Sequence, residues 1–441
     1  MTVGLFLGLR KVLPALAVVV ALNLFFLSCG GVTASTPSTS ASSSKPSGLA
    51  FRALISDPVR PFGAALDPVV DIVDATQDVL SGSWIDLGGE TADAGLMAEA
   101  SNYTSTLVFS PADNKIAVID NSTEKVASTV TIPGPTESMV VGTGNSTAYA
   151  AVPSATVNGQ APGALVALNL STLSSAAIQA TIPIVGARFV ITSHNGNHLL
   201  VFSDDSQSVT WVAPILIGTA SDPRTSACCF DHPVWGVFSG DDSVVYVFNC
   251  GPECGGTTAS IAVLPVGGAA PTATIPVDAA TYGILQNTTL FVAGSPPSAD
   301  CSGVTTAAQT CGRLDVVDTN AMSVTSSAVI PDGYHDRMAM GENGQLFVGS
   351  HTCTNINSQT EVRGCLAIVN TTNSQVVNPP RNGDVTGIQP ISNRVMVYVC
   401  QGGLLYIYNT LDDKLEAFPA GETSPDIVGQ AIDVKQADGP P

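Results

Sequence analysis

The chain has 441 residues, with 16 Lys and Arg against 36 Asp and Glu, and a formal net charge of −20. This acidic balance argues against nucleic-acid binding, because contacts with phosphates need clustered Lys and Arg side chains. It favours a soluble, exposed protein, with binding of a cation or a cationic ligand as the alternative.

The N-terminal residues are organised as an export signal. Arg10 and Lys11 precede the apolar run 12–27, which at roughly 16 residues is short for a membrane span of about 20. The small residue Ser28 before Cys29 resembles the cleavage site of a bacterial lipoprotein signal. This resemblance implies removal of residues 1–28 and membrane attachment through a lipid on Cys29. A short transmembrane anchor and an ordinary signal peptide are the alternatives.

The residues that follow Cys29 predict both a cellular location and a flexible tether. Gly30 and Gly31 stand where an Asp retains lipoproteins at the inner membrane, so we expect an outer-membrane lipoprotein of the bacterial cell envelope, facing the periplasm or the surface. The segment 29–48 is rich in Ser, Thr and Pro and has almost no apolar side chains to bury, which predicts a flexible tether. No later composition shift divides the chain, so we expect one domain over residues 49–436 and a tail over 437–441.

An internal repeat dominates the rest of the chain. The apolar stretch Ile116–Asp120 recurs in altered form, with copies spaced by about 40 to 53 residues. The eight copies lie at residues 70–74, 116–120, 165–169, 209–213, 261–265, 314–318, 366–370 and 405–409. This period is typical of propeller blades. The predicted fold is therefore all-β, a single β-propeller of four-stranded blades.

Each copy is flanked by further short runs that predict strands. Around the second copy, strands A to D are expected at residues 94–98, 106–110, 116–120 and 126–132. Corresponding B strands are expected at residues 244–248, 290–293, 346–349 and 395–399. These runs are rich in Val, Ile, Leu, Ala and Thr and are bounded by Gly, Pro, Asn, Asp or Ser, as strands and turns are.

Two sequence features carry a family resemblance. The segment Tyr246–Asn249, and the core Val118–Asp120 with its trailing Thr and Val, resemble the YVTN-repeat family of surface propellers. The resemblance covers residues 51–434. It implies a β-propeller that serves as a binding or surface protein, with no ligand assigned.

The ends of the domain predict how the ring closes. Residues 51–55, 69–74 and 79–87 suit strands B, C and D of a blade that lacks strand A, and residues 426–433 suit an isolated strand A. The C-terminal strand would complete the N-terminal blade and leave no open sheet edge. This count gives eight blades. Seven remains the alternative, because the repeat around Trp211 has a poorly defined strand D.

Cysteines beyond Cys29 are expected to form disulfides, because the chain is predicted to be exported. They are Cys228, Cys229, Cys250, Cys254, Cys301, Cys311, Cys353, Cys365 and Cys400. The blade pattern puts all nine on the face that carries the B–C and D–A loops. We predict the pairs Cys301–Cys311 and Cys353–Cys365, pairing of Cys228 and Cys229 with Cys250 and Cys254 in an unassigned order, and a free Cys400. Such stapled loops suit a binding face, or simply stabilise long loops.

Alignment of the repeats also predicts a candidate site at the mouth of the central channel. The residues expected there are Asp93, Glu137, Arg188, His232, Tyr282, His335, Asp336, Arg337, Asp384 and Asp426. Converging carboxylates could bind calcium through oxygen ligands, with Asp384 and Asp426 as the expected metal ligands. The alternative is that these are ordinary turn residues in a wet channel. Paired histidines at 232 and 335 would suit a transition metal.

No catalytic residue is predicted, because no common nucleophile, zinc or phosphate-loop motif occurs. The leading hypothesis is a monomeric, lipid-anchored envelope propeller that binds a protein, a glycan or another envelope component. The alternative is a calcium-dependent, lactonase-like propeller hydrolase with its site at the acidic mouth. A structural envelope protein without a specific ligand is the third hypothesis.

Overall fold

Eight four-stranded antiparallel sheets follow one another along the chain, and we call them blades 1 to 8. The computed structural model describes residues 45–62, 65–157, 159–204, 206–297, 310–415, 427 and 429–440. The predicted signal, Cys29 and the tether up to residue 44 lie outside the described residues. Within the described part, no helix is long and apolar enough to cross a membrane.

Blades 1 to 4 contain the first half of the strands. In chain order these are β1 Arg52–Phe62, β2 Ala65–Asp74, β3 Val79–Asp86, β4 Met97–Glu99, β5 Ser105–Ser110, β6 Lys115–Asp120, β7 Lys125–Thr131, β8 Ser138–Val141, β9 Thr147–Val152, β10 Ala164–Asn169, β11 Ala177–Pro183, β12 Ala187–Thr192, β13 Leu199–Ser203, β14 Ser208–Val212 and β15 Arg224–Cys228.

Blades 5 to 8 and the closing strand contain the second half. These are β16 Pro233–Phe238, β17 Val244–Asn249, β18 Ser260–Pro265, β19 Ala273–Pro276, β20 Tyr282–Gln286, β21 Thr289–Gly294, β22 Gly312–Asp318, β23 Ser323–Ile330, β24 Tyr334–Met340, β25 Gln345–His351, β26 Ile356–Asn357, β27 Val362–Arg363, β28 Leu366–Asn370, β29 Val376–Val377, β30 Val385–Pro390, β31 Met396–Gln401, β32 Leu404–Asn409, β33 Lys414–Leu415 and β34 Asp433–Gln436. Short 3-10 turns lie at Leu173–Ser175, Pro214–Leu216, Gly251–Cys254 and Glu342–Gly344.

The innermost strands of the eight blades form a closed ring. In order around the ring, β34, β4, β8, β12, β16, β20, β24 and β30 each contact the next, and β30 contacts β34. The chain is thus an eight-bladed β-propeller, as the repeat predicts. The number of blades is eight and not seven, because the poorly defined strand D of the repeat around Trp211 is present. This strand is β15, which pairs with β14 from Ser208↔Cys228 to Val212↔Arg224. The sequence obscures this strand because a 3-10 turn and a loop separate it from β14.

The apolar repeat segments are the third strands of the blades, and both of their faces are buried. In β10, Val166 packs with residues of blade 2, whereas Leu165 and Ala167 pack with residues of blade 4. Side chains alternate between the two faces of a strand, so each blade supplies half of two separate cores. The core therefore lies between neighbouring blades and grows with blade number, not with domain radius.

The C-terminal strand closes the ring. β34 pairs antiparallel with β1 from Ala53↔Gln436 to Ser56↔Asp433, which gives blade 1 the order β3–β2–β1–β34. The closure is confirmed, but its predicted position at 426–433 is wrong, since the strand begins only at Asp433. Just before it, the backbone N–H of Gln430 donates to Asp57 Oδ1 at 2.9 Å, so this segment binds a buried carboxylate instead of pairing as a strand.

The two faces of the ring differ in their loops. We call the face with the B–C and D–A loops the mouth face, and the face with the A–B and C–D loops the N-terminal face, because β1 begins there. On the N-terminal face, the Ser47 backbone N–H donates to Glu124 Oε2 at 2.6 Å. Arg52 donates to Glu124 at 2.6 Å and to Asp438 at 2.8 Å, and its side chain is 1% exposed. The first described residues and the C-terminal tail are therefore joined by one buried ionic cluster.

The disulfides lie on the mouth face, but their pairing is partly different from the prediction. Cys353–Cys365 is confirmed, and Cys400 is free and buried, as predicted. The predicted pairing of Cys228 and Cys229 with Cys250 and Cys254 is wrong, because the bonds are Cys228–Cys229 and Cys250–Cys254. The reason is local: the 3-10 turn Gly251–Cys254 brings the Cα atoms of Cys250 and Cys254 to 5.7 Å. Cys301 lies outside the described residues, so its predicted bond to Cys311 stays a prediction.

Candidate functional site

Four innermost strands carry a β-bulge at their mouth end. The pairing register shifts between Ala187 and Phe189, Pro233 and Trp235, His335 and Arg337, and Val385 and Gly387. The extra residues are Arg188, Val234, Asp336 and Thr386. A bulge redirects a side chain out of the regular alternation. In blades 4, 5 and 7 the extra residue lines a cavity at the mouth of the channel.

Three adjoining cavities open on the mouth face, with volumes of about 240, 220 and 310 Å³. All three are lined by Phe189 and Tyr334, which makes them one continuous depression. We call it the mouth groove. Its side chains that matter below are Glu137, Arg188, Phe189, Asp204, His232, Trp235, Tyr282, Tyr334, Asp336, Arg337, His351, Asp433 and Lys435.

Aromatic rings from four consecutive blades form one wall of the mouth groove. Trp235 stacks on Tyr282 with ring centroids 4.7 Å apart, and Phe189 meets the edge of Trp235 at 5.9 Å. Tyr334 lies against His351 at 5.2 Å. Each of the four aromatic side chains is only half-buried. Burial raises the pKa of Tyr282 to about 12, so its hydroxyl stays neutral.

Ion pairs form the polar part of the mouth groove. Arg188 lies 3.0 Å from Glu137 and 3.2 Å from Asp204. Asp336 lies 3.0 Å from Arg337, and its other neighbour is His351 Nδ1 at 3.4 Å. A hydrogen bond that the imidazole donates to this carboxylate raises the pKa of His351. Asp433 pairs with Lys435 at 2.8 Å.

These ion pairs argue against the predicted binding of a cation by free carboxylates at the mouth of the channel. Every carboxylate that lines the three cavities has a basic side chain within 4 Å. Among the described residues, no group of three or more His, Cys, Asp or Glu is placed to hold a metal ion. Of the two predicted metal ligands, Asp384 accepts the Thr352 backbone N–H at 2.9 Å, and Asp426 lies outside the described residues.

The structure brings six of the predicted mouth residues together along the mouth groove. These are Glu137, Arg188, His232, Tyr282, Asp336 and Arg337. Asp93 instead accepts the Ala94 backbone N–H at 2.8 Å, as a turn residue does. A role for any of them in ligand binding stays a prediction.

His335 does not lie in the wall of the groove. Its side chain is 2% exposed, and its Nε2 donates to the Pro331 carbonyl at 3.1 Å. Burial lowers the pKa of His335 to about 4, so the imidazole is neutral. Pairing of His335 with His232 at one metal therefore finds no support in the geometry.

Sequence reasoning missed Phe189, Trp235, Tyr334 and His351, as well as the charged residues Asp204, Asp433 and Lys435. The first two follow bulged residues, so an alignment of repeats that assumes regular alternation assigns them to the wrong side of the strand. The sequence does contain one signal for the aromatic residues: each loop that leads into blades 4 to 7 is followed closely by an aromatic residue. His351 ends a second strand, β25, and no pattern pointed to it.

Glu253 lies in the disulfide-closed turn beside the groove and gives a pH-dependent prediction. Its Oε2 accepts the Ser295 backbone N–H at 2.7 Å, and burial raises its pKa from 4.5 to about 7. A carboxyl with a raised pKa stabilises the fold below its ordinary pKa, and that stability is lost as the pH rises through 7. The free energy of unfolding of Glu253→Gln should therefore equal that of wild type near pH 4.5, the ordinary pKa of the carboxyl. Towards pH 8 the variant should become the more stable protein.

Urea unfolding at several pH values measures this difference. The advantage of Glu253→Gln should grow by at most about 1.4 kcal/mol per pH unit. The exposed Glu90→Gln is the matched control and should follow wild type at every pH. A constant difference between Glu253→Gln and wild type across the range would contradict the raised pKa.

Comparison with known proteins places the fold. No protein-family model and no curated protein match this chain. Among solved structures, dihydro-heme d1 dehydrogenase NirN in complex with DHE matches with a TM-score of 0.62 and 12% identity, over 88% of this chain and 75% of that one. Kuenenia stuttgartiensis hydrazine synthase matches with a TM-score of 0.50 and 10% identity, over 74% and 95%. At such identities the likeness is one of fold alone.

Proposed function

We propose that this protein is a lipid-anchored propeller of the bacterial cell envelope, similar to the YVTN-repeat surface propellers, and that it binds its ligand in the mouth groove. The observation that carries the proposal is the redirection of Arg188, Val234 and Asp336 by bulges into one preformed depression. Ligand sites are concave, mostly apolar and fitted with a few polar groups. The mouth groove has this composition, and the loops around it include the bond Cys250–Cys254.

The position of the N-terminal segment supports the anchoring part of the proposal. Ser47 and Arg52 fix the chain on the N-terminal face, opposite the mouth groove. A protein held to a membrane through Cys29 would thus be attached through a segment that enters the propeller on the face opposite the mouth groove.

The calcium-dependent hydrolase finds less support. Calcium needs six to eight oxygen ligands, and several are usually carboxylates free to approach the ion. In the mouth groove, Glu137 and Asp204 already share Arg188, and Asp336 contacts Arg337. A cation would have to displace a guanidinium from each of these carboxylates.

The binding site can be tested with the full chain and one matched pair of variants. Fractionated envelope peptides, glycans and lipids are screened for a rise in melting temperature, which a specific ligand in excess should produce. Arg188→Met should lose that rise, whereas Lys125→Met, which removes an exposed charge from the N-terminal face, should keep it. A rise that survives in Arg188→Met would place the site elsewhere, and no rise with any fraction would count against a binding module.

The anchor can be tested separately. Cys29→Ala should abolish incorporation of labelled fatty acid and move the protein from the membrane fraction to the soluble fraction. The wild-type protein treated with globomycin, which blocks lipoprotein signal processing, serves as a parallel control. Membrane association that persists in Cys29→Ala would favour a transmembrane anchor.

A further inference from the structure

We infer that the mouth groove binds a neutral oligosaccharide, with sugar rings against its aromatic wall and hydroxyl groups against its ion pairs. This rests on the proposed function, because it names the ligand class of the same site. Three properties of the groove carry it: its aromatic faces, its balanced polar groups and its bulged strand ends.

The aromatic wall suits a ring that is apolar on its face and polar at its edge. Phe189, Trp235, Tyr282 and Tyr334 are each half-buried, so each keeps some surface open to the channel. Aromatic side chains supply large rigid contact surfaces. A pyranose ring presents C–H groups on its faces and hydroxyls around its rim, so it can cover such a surface and still direct its hydroxyls to polar neighbours.

The polar groups beside that wall both donate and accept hydrogen bonds. The side chains of Arg188, Glu137 and Asp204 are 39%, 64% and 43% exposed, so much of their hydrogen-bonding capacity faces the groove. A guanidinium only donates and a carboxylate only accepts, whereas a hydroxyl does both. Neighbouring hydroxyls on a sugar can therefore bridge Arg188 and a carboxylate at once.

The charge balance points to a neutral ligand. Arg188 stands between Glu137 and Asp204, and Arg337 adjoins Asp336, so basic and acidic groups alternate along the groove. An anionic ligand would approach Arg188 only against two carboxylates. A cationic ligand would meet the guanidiniums in the same way. An uncharged ligand meets neither repulsion.

The strand ends argue against an extended peptide. Peptides that add to a sheet need a regular row of free N–H and C=O groups along a strand edge. In blades 4, 5 and 7 that regular row is interrupted by the bulges at Arg188, Val234 and Asp336. The three adjoining cavities instead suit a chain of separate rings, each in contact with side chains.

Titration of the full chain with oligosaccharides tests the inference. The probes are maltohexaose, cellohexaose, chitohexaose and a printed array of neutral glycans, with hexagalacturonate as the acidic probe and a neutral hexapeptide as the non-glycan probe. Binding is followed by calorimetry and by tryptophan fluorescence. We expect saturable binding of at least one neutral glycan, with an affinity that changes little between low and high salt.

Two variants locate that binding. Arg188→Met should weaken it about tenfold, which corresponds to about 1.4 kcal/mol. Trp235→Phe should abolish the fluorescence change, whereas Trp84→Phe, far along the chain in blade 1, should retain it. Lys125→Met again serves as the charge control.

Each other outcome overturns the inference in a different way. Binding of the hexapeptide or of hexagalacturonate, but of no neutral glycan, would overturn the ligand class and leave the mouth groove as the proposed site if Arg188→Met weakened it. Glycan binding that is unchanged in Arg188→Met and Trp235→Phe would overturn both the inference and the proposed function. Absence of binding to every neutral glycan on the array would overturn the inference alone.

Discussion

Deletion of residues 425–441 is expected to unfold the whole propeller and not blade 1 alone. The deletion removes β34, the innermost strand of blade 1, and leaves the inner edge of β1 unpaired. It also removes Ile427 and Val434 from the core between blades 8 and 1. Full burial of each such side chain stabilises by about 1.5–3 kcal/mol. Together with loss of Asp438 from the buried cluster, the expected cost approaches the whole stability of a typical domain, about 5–15 kcal/mol.

Thermal unfolding followed by circular dichroism measures this effect. Full-length protein should show one cooperative transition, and the deletion variant should lack it. Deletion of residues 439–441 alone is the control, because Gly439 and Pro440 are exposed and lie beyond the closing strand. The closure would be unimportant for stability if the long deletion melted cooperatively within a degree or two of full length.

Arg52→Met should lower the free energy of unfolding by about 3–5 kcal/mol, because it leaves the buried Glu124 without its cation and leaves Asp438 paired with Lys45 instead of with two cations. Glu124 and Asp438 have side chains that are 3% and 11% exposed, and both accept hydrogen bonds from Arg52. Burial without a counter-charge is costly for a carboxylate. Met fills similar space, so most of the loss would be electrostatic.

Urea denaturation of Arg52→Met and of a surface control separates this cluster from ordinary ion pairs. Arg224 pairs with Asp222 at 2.8 Å, and Asp222 is 58% exposed, so Arg224→Met should cost no more than about 1 kcal/mol. The triple variant Arg52→Met, Glu124→Gln, Asp438→Asn should recover part of the loss, because no charge stays buried. Equal losses for Arg52→Met and Arg224→Met would show that the cluster contributes no more than a surface pair.

The fold could be predicted because its determinants repeat. Third strands such as β6 and β10 are buried on both faces and therefore have continuous apolar sequences. Such apolar runs can be recognised in every blade although the individual residues differ. The closure of the ring could also be predicted from the sequence, because the first blade lacks one strand and the C-terminal residues contain one. The error in the position of β34 has a tertiary cause: Gln430, just before the strand, binds Asp57, a residue more than 370 positions away.

The site was only partly predictable, for reasons of geometry. A bulge inserts one residue into a strand, and a single extra residue exchanges the two faces of that strand. The repeat alignment therefore selected His335, which is buried, as well as Asp336, which lines the groove. It gave no sign of Trp235 or Tyr334. Pairing of carboxylates with Arg188 and Arg337 could not be read from composition, because the partners come from different blades or from a bulge.

The cluster at Ser47 and Arg52 also determines how the domain would respond to mechanical tension. A pull applied upstream of residue 45 reaches Glu124 of blade 2 through Ser47, and Asp438 behind the closing strand through Arg52. Beyond that point the load follows β1, which is hydrogen-bonded along both edges, to β2 and to β34. Separation of β1 would require shear of two ladders at once. A propeller pulled by its N-terminus is thus loaded at a strand that is hydrogen-bonded along both edges, and its groove on the opposite face lies outside the path of the force.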